Sequence, residues 1–362
     1  MIDEDTSSQS VQDTSYINDI RIPSDFKSCS FSKYKRTEVK STLIKTMLKG
    51  KIEESCYWSA ELVCAGHFMD LWEIILYYHG KYIHLGNPKL ILYLENRYHA
   101  FRNVMENAVY TCELQLRNNI NIRKLFAEII CVLIMSPRKP SFEQVKIHRI
   151  EEFDAQHISE KVKVPDKNFL EEVFLKQDPK GMFIALNELA FHLTQSDGMM
   201  MACYWIEWIM EFDSICRKNH NPCYGERRSN ANVAIGFQMD AIWIVWDVIF
   251  HSVTTTNKAP FIEKALNGLK SLFCIKYTTA SSKRRRYLLY LAVALITEPV
   301  STSMEMIGDK VLLGTVVSQI NSIYKHVKKH EESPQTDYMF GNMERDDEQL
   351  KKSLSKLEML YR

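Results

Sequence analysis

The chain has 362 residues, of which 46% are hydrophobic and 25% charged. That is enough for one large or two modest domains, with a core that needs neither disulfides nor metals. Twelve glycines argue against a phosphate-cradling loop fold and against a β-protein of many tight turns. With 46 Lys+Arg against 45 Asp+Glu the net charge is +1, so any attraction to nucleic acid or membrane must be local.

Residues 1–35 lack hydrophobic periodicity and carry Asp3, Glu4, Asp5, Asp13 and Asp19, which predicts a mostly disordered acidic arm. Helical spacing begins near Thr37, with Val39, Leu43, Ile44, Met47 and Leu48 on one face, and Gly50 stops it. Ile52, Cys56, Ala60, Val63 and Cys64 form the next face, closed by Gly66. A third helix runs from Met69 to Tyr78, up to Gly80. Asn87-Pro88 is a cap followed by proline at the first helical position, opening a helix through Tyr93, Tyr98 and Phe101. Another is expected from Ile122 to Met135, which closes an N-terminal helical array over 36–135. Residues 136–168 hold Pro137, Pro140 and Pro165 among mixed charges and read as a linker with room for a short helix.

A second array is expected over 169–330. Its helices are Met182 to Leu193, Met199 to Cys216, Met239 to His251, Lys258 to Phe273, Arg284 to Thr297 and Met304 to Val327. Residues 331–343 form a further linker. In 344–362, Leu350, Leu354, Leu357 and Tyr361 recur at helical spacing, an amphipathic tail helix that docks on its own body or on a partner. Strict polar–apolar alternation is scarce. The expected fold is therefore all-α, an antiparallel helical array without significant sheet. The strings Cys56-Tyr57-Trp58 and Cys203-Tyr204-Trp205, each followed by an Asp and a Trp, raise the question of helix-pair repeats.

The start lacks a basic segment leading into an apolar run, so no secretory leader is expected. The longest apolar runs, Ile129–Met135 and Tyr287–Ile296, are too short to span a bilayer. Nine cysteines, an odd number with many inside apolar helical patterns, fit free thiols in a reducing compartment.

The familiar phosphate-loop, dinucleotide, zinc-protease, serine-hydrolase and calcium-loop motifs do not occur, so no catalytic or cofactor-binding residue is assigned. The nearest approach to a metal cluster is Cys216, His220 and Cys223; ordinary thiols at a helix end are the favoured reading, and no metal is expected. Trp58, Trp205 and Trp243 are expected in the core. The sharpest charge run is Lys283, Arg284, Arg285 and Arg286, just before the apolar run. At a helix N-terminus the dipole disfavours cations, so this run calls for an anionic partner, from its own chain or from outside. Arg227-Arg228 and Lys325–His330 add basic character elsewhere.

Several segments together resemble an uncharacterised protein family of the nucleocytoplasmic large DNA viruses. They are Lys49 to Trp58 with Glu61-Leu62, His84 to Leu90, Ile242 to Asp247, and Thr297 to Val300. The resemblance covers roughly residues 36–330 and brings no catalytic residues. It implies an all-helical protein with a virion or virus-factory role, in the host cytoplasm or packaged. Residues 43–62 are also similar to the C-terminal helical domain of clamp-loader-like AAA+ ATPases, whose nucleotide-binding half is lacking here; that similarity implies only an oligomerisation or docking fold. The expected function is a non-enzymatic structural or interaction protein that meets a viral protein or itself through Lys283–Arg286 and the leucine-spaced tail. The alternative is a nucleic-acid-binding accessory factor of viral replication or transcription, against which the near-neutral charge counts.

Overall fold

A computed structural model describes residues 14–107, 112–149, 151–256, 258–303 and 305–332. Within them the protein is all-α. The helices are α1 (Arg36–Leu48), α2 (Ile52–Cys64), α3 (Phe68–Tyr78), α4 (Leu90–Asn107), α5 (Ile120–Met135), α6 (Ala155–Lys161), α7 (Phe183–Thr194), α8 (Met199–Lys218), α9 (Ile242–Thr256), α10 (Pro260–Phe273), α11 (Thr279–Arg284), α12 (Arg286–Thr297) and α13 (Lys310–Lys328). Extended pairing among the described residues is limited to isolated bridges. The two C-Y-W strings lie on α2 and α8. Leu350, Leu354 and Leu357 lie outside the described residues.

The two arrays share one core. Apolar side chains from both join a single buried cluster, and the element at its centre is α12. Residues Arg286 to Ile296 are all buried, as expected of a helix that is apolar all round. α12 packs on α3 from the first half and on α7, α8, α9 and α10 from the second. α13, expected to complete the second array, instead lies against α2 and α5 of the first, where Ile320, Tyr324 and Val327 are buried.

Three expectations are corrected. Residues 14–35, expected to be disordered, are folded onto the core. Ile17, Phe26 and Phe31 are buried, and the Arg21 guanidinium lies against the stacked pair of Phe26 and Phe31, 4.7 and 4.6 Å from their ring centroids. Asp19, one of the acidic residues behind that expectation, pairs with Arg21 at 2.6 Å. Arg123 clamps the segment from α5: it donates to the Ser15 hydroxyl (2.9 Å) and carbonyl (3.1 Å) and lies 4.1 Å from the Tyr324 ring centroid. Buried Glu61 accepts from Ser30 Oγ (2.7 Å) and Ser32 N (2.9 Å). Charge here is consumed by tertiary pairing, so composition misjudges the segment.

Residues 136–168 are irregular apart from α6, but they are a strap rather than a free linker. Ser141 N–H donates to the Lys81 carbonyl (2.8 Å), Phe142 stacks on Tyr290 with centroids 5.1 Å apart, and Lys163 and Val164 N–H donate to buried Glu188 (2.9 and 2.7 Å). Finally, Trp205 and Trp243 are buried as expected, whereas Trp58 is half-buried, edge-on to Tyr34 at 5.3 Å.

After α3 the chain makes a π-type turn, His79–Ile83, in place of the stop expected at Gly80. A Cβ on Gly80 would meet the Tyr287 backbone at 2.9 Å. Glycine therefore lets the turn seat directly on α12.

Candidate functional site: a basic groove between the two halves

The cationic run is split between two helices: Arg285 and Arg286 stand at the N-terminus of α12 as expected, whereas Lys283 and Arg284 do not. Thr278 and Ser281 form a reciprocal cap that starts the short helix α11, so Lys283 and Arg284 occupy its last turn. There the dipole favours cations. The remaining charge is balanced largely within the chain. Lys283 bonds Glu211 at 2.7 Å. Arg285 is buried, donating to the Phe273 carbonyl (2.6 Å) and to Glu73 (2.6 Å). Arg286, also buried, donates to the Lys283 carbonyl (2.8 Å) and lies 3.4 Å from Glu207. Burial pushes the Glu207 carboxyl upward, only partly offset by Arg286 and the Tyr290 hydrogen bond. Arg285 is thus a core pin, while Arg286, largely buried and paired, keeps only an edge on the groove.

Arg284 differs. Its side chain is 56% exposed, and Glu73 is 3.9 Å away and bonded more closely to Arg285. It lies in a groove of about 720 Å³ where α1, α3, the π-type turn, the strap and the α11–α12 junction meet. Six cations line it: Lys40, Lys81, Lys146, Lys283, Arg284 and Arg286. Two carboxylates, Glu73 and Glu143, face them.

Each element brings its charge for a local reason. Lys40 is on the half-exposed side of α1 and reaches Asp70 at 3.2 Å, a carboxylate already bonded by Arg36. Lys81 sits at the turn held by Gly80, surrounded by Tyr77, Tyr82 and Tyr287, with ring centroids 5.3–5.8 Å from its ammonium. Burial works against that ammonium, but the Glu143 hydrogen bond and the tyrosines outweigh it and raise its pKa. Lys146 is exposed on the strap and carries no ion pair among the described residues. The groove can therefore attract an anionic surface and offers phenol rings beside the charges, with Lys40, Lys146 and Arg284 the cations most open to it.

The other candidates are placed as follows. Cys216 and Cys223 come together, whereas His220 is exposed, with φ +56° in the turn between them. Among the described residues no group of three His, Cys, Asp or Glu side chains is placed to hold a metal. Arg228 is buried and forks onto Asp178 (2.6 Å) and Asp247 (3.0 Å). Arg227 donates to Gln238 at 2.6 Å. Lys328 donates to the Tyr16 carbonyl at 2.6 Å and secures the N-terminal segment. A smaller concavity of about 480 Å³ is lined by α8, α9 and α11. At its floor the Asp240 carboxylate accepts from Arg217 (2.9 Å), Tyr277 (3.0 Å) and Thr279 (2.8 Å). Sequence reasoning missed Lys40, Lys81, Lys146 and the tyrosines because no local pattern marks residues that only the tertiary fold gathers.

No protein-family model, curated protein or solved structure matches this chain. No helix among the described residues is long and apolar enough to cross a membrane.

Proposed function

We propose that this chain is a non-enzymatic helical interaction protein, a virion component or assembly scaffold of a large DNA virus, acting in the host cytoplasm or virus factory. Its contact surface is the basic groove, which takes an acidic protein surface. The observation that carries this reading is the excess of six lining cations over two carboxylates, in a chain whose net charge is only +1. A dedicated nucleic-acid binder spreads positive charge more widely. Here the excess is local, and Arg227-Arg228 and Lys328 are engaged within the fold.

The tyrosines beside Lys81 favour a second reading, in which single-stranded nucleic acid lies in the groove with bases against phenol rings. Binding isotherms of the full chain with a glutamate-rich peptide and with random-sequence single-stranded DNA separate the two. The acidic-protein reading expects the peptide to bind more tightly, and the triple variant Lys40→Gln, Lys146→Gln, Arg284→Gln to weaken it about tenfold or more. Tighter DNA binding with a steep salt dependence, lost in the same variant, replaces it with the nucleic-acid reading. Binding of neither probe, or binding unchanged in the variant, removes the groove as the contact surface.

A further inference from the structure

Cys216 lies in the last turns of α8 and Cys223 in the segment that follows. Between them the chain reverses. Asn221 N–H donates to the Cys216 carbonyl (2.9 Å), and His220 N–H donates to the Arg217 carbonyl (3.1 Å). His220, at φ +56°, takes the left-handed conformation that closes the turn. Cys223 N–H then reaches the Asp213 carboxylate (3.3 Å), one helical turn before Cys216 on the same face of α8. These backbone contacts bring Cys223 back beside the end of α8 that carries Cys216, and burial and the interaction with Cys216 both raise the Cys223 pKa. Cys216 is half-exposed and Cys223 buried. Cys56, Cys64, Cys131, Cys203 and Cys274 are buried, and burial raises the pKa of each of these thiols. Cys216 thus combines access to solvent with a second thiol at hand.

We propose that Cys216 and Cys223 are a redox pair that closes a reversible disulfide by exchange with a small-molecule disulfide such as oxidised glutathione. The Cys216 thiolate attacks one glutathione sulfur, the glutathione S–S bond breaks, and one glutathione leaves as thiolate, taking up the proton that Cys216 gave. The Cys223 thiolate then attacks the Cys216 sulfur of the mixed disulfide, and the second glutathione leaves and is protonated in turn. Two protein thiols are oxidised, and one glutathione disulfide is reduced to two thiols. The half-exposed thiol is the attacking one and the buried thiol the resolving one. The second step needs the Cys223 thiolate, whose pKa is raised, so it quickens as pH rises. The closed ring ties the end of α8 to the segment leading into α9, beside the concavity that Asp213 and Arg217 line. Reduced, the protein keeps all nine thiols free.

The test treats the folded full chain with oxidised glutathione, blocks remaining thiols with an alkylating agent and maps the digest by mass spectrometry. The expected result is loss of two of the nine thiols as one 216–223 cross-link, reversed by reduced glutathione. In Cys223→Ser the expected product is glutathione held on Cys216, with far-UV circular dichroism unchanged. Wild-type protein that stops at the mixed disulfide on Cys216 overturns the pairing. So does cross-linking or modification that leaves Cys216 free while Cys29 or Cys112 reacts.

Discussion

Arg284 and Arg285 are neighbours whose surroundings separate their roles. Arg285 is buried with its guanidinium bonded to Glu73 and to the Phe273 carbonyl, so its loss leaves a carboxylate and a carbonyl short of a donor inside the protein. We predict that Arg285→Gln lowers stability by about 2–3 kcal/mol, while Arg284→Gln changes it by less than about 0.5 kcal/mol. Urea denaturation followed by tryptophan fluorescence measures both; equal effects would contradict the division between core pin and groove cation. His79 and His84 make a second case. Burial lowers their pKa values to about 3 and about 4, while the unfolded chain takes up a proton near pH 6.5. The native state refuses protons that the unfolded state accepts, so their contribution falls as pH drops below about 6.5. The expected loss is roughly 2 kcal/mol for each by pH 5. Denaturation at pH 7 and pH 5 tests this, and His79→Leu should remove roughly 2 kcal/mol of the pH-dependent part.

Among the elements, the turn that seats Lys81 depends on contact between Gly80 and α12. A methyl group at Gly80 meets the Tyr287 backbone at 2.9–3.0 Å. Gly80→Ala is therefore expected to cost about 1–3 kcal/mol and to displace Lys81 from the groove. Thermal melts with peptide binding on the same variant read both effects; an unchanged melting temperature would show that the contact yields freely. The long helices were legible because three or more turns of apolar spacing leave a strong pattern, and Tyr287–Ile296 in α12 stood out as one of the two longest apolar runs. The helix α11 escaped and α6 was foreseen only as room for a short helix, since six or seven residues carry too little periodicity. The Thr278 and Ser281 caps were the only local signal for α11, and missing them reversed the dipole argument for Lys283 and Arg284. Residues 14–35 were misjudged because Asp19 and Arg21 satisfy each other in the fold, which composition does not register.

At the scale of the molecule, two arrays joined by a linker become one body. The last helix covers the first half, the N-terminal segment is clamped by α5 and α13, and α12 runs through the centre. A fragment spanning 36–135 lacks Ile320, Tyr324 and Val327 from α13 and Phe26 and Phe31 from the N-terminal segment. It is expected to show no cooperative melt, whereas the full chain does. A sharp transition in the isolated fragment would restore the two-domain description. The groove has the same origin, since its cations come from positions 40, 81, 146, 283, 284 and 286 and meet only when both halves are present. The most direct measurement is a lysine-acylation footprint of the full chain with and without a saturating glutamate-rich peptide. The proposed contact surface predicts slowed labelling at Lys40, Lys146 and Lys283, with Lys325 and Lys329 unchanged. Protection at Lys325 and Lys329 with the groove lysines labelled as in the free protein would contradict it.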